Sequence, residues 1–167
     1  MNHFELFGLP VSFKVNSQTL RAAFMDIQRS THPDKFAQSN SYEQEEALEK
    51  SAQANNALSV LNNPDKLLPY VLEIEGYLSK DEKYELDPAF LMEMMELNEG
   101  WMDADSPGEK QAIIEQINAL KNEISAPIKA DLEVDTILSI PPEKMLQIKD
   151  YYYKKKYLDR ILAEFHH

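Results

Sequence analysis

The chain has 167 residues, of which 43% are hydrophobic and 28% charged, and it contains no cysteine. This is an ordinary globular balance, and the missing thiols exclude disulfides and thiolate metal centres. The net charge of −12 argues against an extended grip on nucleic acid, where neutralisation of phosphates dominates binding.

No apolar run approaches the roughly twenty residues that would cross a bilayer. The first residues, MNHFELFGLP, have neither the basic nor the long apolar region of a secretory signal, so the cytoplasm is the expected compartment. Charge is spread unevenly. Residues 1–40 hold four basic groups (Lys14, Arg21, Arg29, Lys35) against three acids (Glu5, Asp26, Asp34), or +1, which leaves −13 on the rest of the chain. Glycine is scarce, and long stretches rich in Leu, Glu, Lys, Gln and Ala favour helix.

In chain order, a short helical piece over Phe4–Phe7 ends at Gly8 and Pro10. Asn16 or Ser17 can cap a helix through Ser30, with Leu20, Phe24 and Ile27 on one face. Pro33 stops it. Ser41 with Gln44 is a candidate capping box for a helix to about Leu61, with Leu48, Ala52, Leu58 and Leu61 as its apolar stripe. The two helices, joined by a tight polar loop, predict an antiparallel hairpin. A third piece, Asp65 to Glu75, ends at Gly76, and Pro69 inside it is expected to kink it or delay its start.

The polar segment 77–86 reads as a linker. Asp87 as N-cap and Pro88 at the first position then open a helix with Phe90, Met94, Leu97 and Trp101 on one face. Ser106 to Glu109 is a second start signal, followed by Ile113, Ile117, Leu120 and Ile124, with Pro127 as an interruption. A last helix opens near Ser139–Pro142, with Ile148, Tyr151, Leu158, Leu162 and Phe165 apolar. No strand alternation appears. The expected fold is all-α in two units: residues 1–76, a linker over 77–86, and a three-helix bundle over 87–167.

The loop between the two long N-terminal helices reads His32-Pro33-Asp34-Lys35. Pro33 restricts the backbone, so flanking side chains are presented with little entropy left to lose. Asp34 offers two acceptors suited to an arginine fork, and His32 a planar donor or acceptor. Alone, the tripeptide also suits a mere helix-hairpin turn. Together with both flanking helices, the Phe4-Glu5-Leu6-Phe7-Gly8-Leu9 start and Lys35-Phe36, it resembles the signature of J-domains. That resemblance implies docking on a DnaK-type chaperone and stimulation of its ATP hydrolysis. His32, Pro33, Asp34 and Lys35 would be contacts and Arg21 and Arg29 steering charges; none would be a catalytic residue.

The second half narrows the resemblance. The stretch Phe90-Leu91-Met92-Glu93, with Glu96, Leu97 and Glu99, is similar to the first helix of the C-terminal domain of the HscB co-chaperone family. In that family the helix docks the scaffold on which iron–sulphur clusters are assembled. The resemblance implies scaffold contacts at Leu91, Met92, Met95, Glu96, Glu99 and Asp103, with Tyr157 as an aromatic contact on the last helix. The implied partners are an HscA-like chaperone and an IscU-like scaffold, with no cofactor, no metal, no nucleic acid and no membrane. A Met-rich strip edged by carboxylates suits a contact that must form and release. A three-helix bundle can also bury a wide face, and then both stripes would be core. Gly100 weakens the helix in the middle of this surface.

Other readings stay open. The run from Tyr151 to Tyr157 could stack bases, but at this net charge it reads better as a bundle helix with a solvated basic side. An enzyme using His32 and Asp34 as acid and base lacks any second constellation: no Cys, no Gly-rich loop, and only His3 and His32 internal, His166 and His167 standing at the end. A general J-protein serving other clients, and a helical binding module with a non-functional loop, remain alternatives.

Overall fold

Short polar side chains decide where the helices start, because the first amides of a helix have no internal partner. In the computed structural model, which describes residues 1–166 and leaves His167 outside, Asn2 accepts from the Glu5 amide at 2.8 Å and opens α1 (His3–Phe7). Gly8 closes it at φ 67°, a left-handed conformation that costs glycine nothing. Asn16 opens α2 (Ser17–Ser30) by accepting from the Gln18 and Thr19 amides, both at 3.0 Å.

The cap of α3 (Ser41–Leu61) is Asn40, which accepts from the Glu43 amide at 2.8 Å. The capping box expected at Ser41 and Gln44 does not form, since Ser41 already lies inside the helix. Gln44 reaches back instead, its side-chain amide donating to the Phe36 carbonyl at 2.9 Å and the Ser39 carbonyl at 3.2 Å. α4 (Pro64–Ile74) starts on an Asn63 cap and runs through Pro69 without ending.

α3 packs against α1, α2 and α4. Its buried residues are Ala47, Ala54, Ala57 and Leu61. The stripe expected from hydropathy therefore holds at Leu61 and, half-buried, at Leu58, but not at Leu48, which is 63% exposed, or at Ala52, which is also outside. A face of small side chains brings the neighbouring backbones close, so the seam follows alanine and the larger Leu48 turns outward. Gln28 and Ser51 tie α2 to α3, the Ser51 hydroxyl donating to the Gln28 side-chain oxygen at 2.9 Å.

In the second half, Asp87 accepts from the Ala89 amide at 3.2 Å and opens α5 (Pro88–Asp103). Ser106 opens α6 (Pro107–Ser125) by accepting from Glu109, whose carboxylate turns back to the Asp105 amide at 2.7 Å. α6 ends just before Pro127, which falls in a 3-10 turn over Ala126–Ile128. α7 (Pro142–Phe165) completes the bundle. Its core joins Phe90, Met94 and Leu97 of α5, Ile117 and Leu120 of α6, and Leu158, Ile161 and Phe165 of α7. Among the described residues there is no strand.

Two segments fall elsewhere than the boundaries read from the sequence. The chain divides into one unit of 1–76 with 132–140, and another of 77–131 with 141–167. Residues 132–140 return to the N-terminal unit because their polar groups find partners there. Ile137 donates its amide to the Val11 carbonyl at 3.0 Å, the buried Ser12 hydroxyl donates to the Val134 carbonyl at 2.8 Å, and Lys14 pairs with Glu133 at 3.2 Å.

The segment 77–86 is no free linker, because it is clasped to α7. Tyr84 stacks on Tyr153 with centroids 4.3 Å apart. Tyr84 donates to Asp150 at 2.7 Å, Tyr153 donates to Glu82 at 2.7 Å, and Lys149 pairs with Glu82 at 3.2 Å. Burial, then hydrogen bonding to a carboxylate, raises both phenols well above the ordinary tyrosine range. The Tyr153 hydrogen bond, outweighing partial burial, lowers the Glu82 carboxyl.

Candidate functional site

The N-terminal candidate is the turn after α2. Thr31, buried, ends that helix by giving both its amide (3.0 Å) and its hydroxyl (2.8 Å) to the Ile27 carbonyl. Pro33 then opens a 3-10 turn over Pro33–Phe36, closed by the Lys35 amide donating to the His32 carbonyl at 3.0 Å. The His32 Nδ1 accepts from the Asp34 amide at 3.2 Å. With Nδ1 so used, the hydrogen-bond pattern assigns the neutral ring's proton to Nε2, leaving it free to donate outward. The Asp34 carboxylate stands 3.5 Å from Nδ1, too far for a good hydrogen bond, and is 92% exposed.

The turn is therefore a rigid backbone holding an imidazole donor and a carboxylate acceptor in solvent. Lys35 is exposed beside them. Gln44 braces the far side through the Phe36 and Ser39 carbonyls. A cleft of about 240 Å³ lined by Thr31, Pro33, Phe36, Gln44, Ala47 and Leu48 adjoins the turn. Of the two steering arginines, Arg21 is exposed on α2, whereas Arg29 is engaged with Asp26 at 2.8 Å. That pair is open to solvent and weak, so a partner carboxylate can replace Asp26 at small cost.

The C-terminal candidate is the outer face of α5. At 100° per residue, Met92, Met95, Glu96, Glu99 and Asp103 centre on the side opposite Phe90, Met94, Leu97 and Trp101. The structure resolves the two stripes accordingly. Met94 is fully buried, while Met92 and Met95 are 63% and 62% exposed and Glu96, Glu99 and Asp103 lie in solvent. Leu91 is half-buried at one edge of the strip, next to Phe90, whose ring meets Tyr157 of α7. On the other edge, Gly100 faces α6: a Cβ there would lie 3.3 Å from the Ile113 side chain. The glycine that weakens the helix thus permits its close approach to α6.

Tyr157 does not join the methionine strip directly. It is half-buried, with its ring edge-on to Phe90 at 6.0 Å and the Arg160 guanidinium 4.7 Å over it. Sequence reasoning missed the groove between α5 and α6, lined by Met92, Glu93, Glu96, Leu97, Gln116 and Leu120. Only the pairing of the two helices reveals it; the exposed i, i+3 spacing of Glu93 and Glu96 beside Met92 was the available signal.

These features define a class: an N-terminal J-like helical region bearing an exposed His-Pro-Asp turn, followed by a helical bundle, as in J-type co-chaperones. A family model described as the HSCB C-terminal oligomerisation domain matches residues 86–166. A co-chaperone protein HscB homologue from Vibrio atlanticus is 37% identical over 166 residues, covering 98% of this chain and 94% of the relative. One from Colwellia psychrerythraea is 36% identical over 121 residues, covering 72% and 69%. Among solved structures, the chaperone HscB from Vibrio cholerae superposes with a TM-score of 0.66 at 28% identity, covering 99% of this chain and 96% of that one. The human co-chaperone protein HscB gives 0.71 at 26% identity, covering 99% and 80%. The chain belongs to the HscB co-chaperone family.

Proposed function

We propose that this protein is a two-site adaptor in iron–sulphur cluster biogenesis, holding an IscU-like scaffold on its C-terminal bundle while its His-Pro-Asp turn stimulates the ATPase of an HscA-like, DnaK-type chaperone. The observation that carries this reading is the exposure of both candidate surfaces. A histidine and an aspartate stand in solvent on a braced turn, and two methionines with three carboxylates stand in solvent opposite a packed core. Neither arrangement is needed to hold the fold together, and membership of the HscB family supplies the partners that suit them.

In this mechanism His32 and Asp34 perform no bond chemistry. The His32 Nε2–H donates and the Asp34 carboxylate accepts, the latter suited to an arginine fork on the chaperone. Pro33 and the Gln44 brace remove conformational freedom before docking, so less entropy is lost on binding. Arg21, Arg29 and Lys35 give the turn a basic surround that steers an acidic partner surface. Leu91, Met92 and Met95 supply apolar contact to the scaffold, and Glu96, Glu99 and Asp103 set its register; Tyr157 continues the contact on α7. Holding the scaffold and the chaperone on one chain raises the scaffold's effective concentration at the ATPase.

The test is a double dissociation, read by steady-state ATP hydrolysis and by titration of the scaffold. His32→Gln is expected to abolish stimulation and leave scaffold binding intact. Met92→Asp is expected to weaken scaffold binding and leave the scaffold-independent stimulation intact. A variant that lost both, or neither, would contradict two separable sites.

A further inference from the structure

The basic and aromatic run of α7 is only partly absorbed by the structure. Lys149 pairs with Glu82 at 3.2 Å, Lys154 with Asp150 at 2.9 Å, and Lys155 with Asp159 at 2.9 Å. Lys121 also pairs with Asp159, and although burial works against ionisation there, these two lysines hold its carboxyl below the ordinary range. Arg160 differs. It is exposed, its guanidinium lies 4.7 Å over the Tyr157 ring, and no carboxylate lies within ion-pair distance of it among the described residues; Lys156, one turn back, shares this lack and lies more loosely over Tyr152, at 5.8 Å.

Its place is specific. The ring beneath it, Tyr157, packs on Phe90, and Phe165 stacks on Trp101 at 4.2 Å, so α5 and α7 run parallel. Arg160 therefore sits, through Tyr157, on the stretch of α7 that meets α5 at Phe90, next to Leu91 in the chain. α5 itself carries Glu93, Glu96, Glu99 and Asp103 and no lysine or arginine. A guanidinium over an aromatic face is held there by cation–π attraction, which engages none of its N–H donors in a hydrogen bond. Such a group is preorganised for a bidentate carboxylate.

We infer that Arg160, held on Tyr157, is a recognition residue for a carboxylate of the iron–sulphur scaffold. The docking surface is then two-signed, with acids and methionines on α5 and a cation on α7. This rests on the reading of α5 as the scaffold surface. A two-signed surface fixes the orientation of the bound scaffold as well as its affinity, because a partner turned end for end would bring like charges together.

The experiment titrates the purified IscU-like scaffold into the full chain at low and at high salt. Arg160→Glu and Arg160→Gln are compared with Lys129→Glu, an equal charge change at an exposed lysine outside the three bundle helices. Loss of a charge-assisted contact is expected to weaken binding by about ten- to a hundred-fold for Arg160→Glu, with only a small change for Lys129→Glu. Arg160→Gln is expected to flatten the salt dependence, which a residue that merely positioned Tyr157 would not do. Scaffold-independent ATPase stimulation should be unchanged in all three, reporting that the chain is folded. Equal losses from Arg160→Glu and Lys129→Glu, or no loss from Arg160→Glu, overturn the inference. If Met92→Asp also binds as wild type, the docking reading itself fails; if Met92→Asp abolishes binding and Arg160→Glu does not weaken it, only the role of Arg160 fails.

Discussion

The N-terminal unit carries its candidate recognition groups on a turn, and the C-terminal unit carries its candidates on the outside of a helix. On the turn, the backbone does the work: Pro33, the His32 Nδ1 contact to the Asp34 amide and the Gln44 brace hold a few side chains in one geometry. On α5, the core does it: Phe90, Met94 and Leu97 lock the helix by its inner face, which leaves Met92 and Met95 displayed on the outer one. A turn can therefore be recognised from three consecutive residues, whereas a helix face is recognised only once the inner face is known.

The sharpest way to break this contrast lies within one dipeptide. Met94→Ala empties a fully buried site and should cost about 2–5 kcal/mol of unfolding free energy, whereas Met95→Ala should stay within about 0.5 kcal/mol. Chemical denaturation reads both. Equal costs would mean that α5 has no distinct outer face. In the N-terminal unit the seam is tight in the opposite sense, so enlarging it is the informative change. Ala54→Leu, at a fully buried position, should lose about 1–3 kcal/mol through overpacking, measurable as a lower melting temperature.

Smaller effects test the helix starts. Asn40→Ala should cost about 1 kcal/mol as the loss of the α3 cap, while Ser41→Ala should be near neutral. The reverse result would restore the capping box that hydrogen bonding assigns elsewhere. The clasp of 77–86 on α7 should appear as a pH effect. Folding raises the Tyr84 and Tyr153 phenols, so their contribution is complete below about pH 10, the ordinary tyrosine value, and is lost progressively above it, where the unfolded chain releases protons that the folded chain keeps. Tyr153→Phe should therefore flatten the fall in melting temperature between mildly and strongly alkaline buffer.

Much of this was legible in the sequence for physical reasons that also mark where it stopped. Helix starts at Asn16, Asp87 and Ser106 were readable because capping is local chemistry. The α5 core stripe was readable because its residues are large. The α3 seam was not, because hydropathy ranks Leu48 above Ala47 while a close helix crossing prefers the smaller side chain. Residues 77–86 looked like a linker because they are polar, yet Glu82 and Tyr84 find partners on α7, about seventy positions away. The return of 132–140 to the N-terminal unit depends on backbone carbonyls and on Ser12, which leave no pattern in a sequence. For the sites, the His-Pro-Asp motif was visible at once, the methionine strip showed as a second apolar stripe whose partner only resemblance named, and the state of Arg160 was visible only in three dimensions.

The most direct test of the adaptor account is complementation in trans. His32→Gln and Met92→Asp proteins, mixed in equal amounts, are added to the DnaK-type chaperone with the scaffold, and ATP turnover is compared with that of the wild-type chain. If both sites must lie on one chain, the mixture should do no better than Met92→Asp alone. A mixture that restored the wild-type rate would contradict the account, because the turn and the bundle would then be acting as independent proteins.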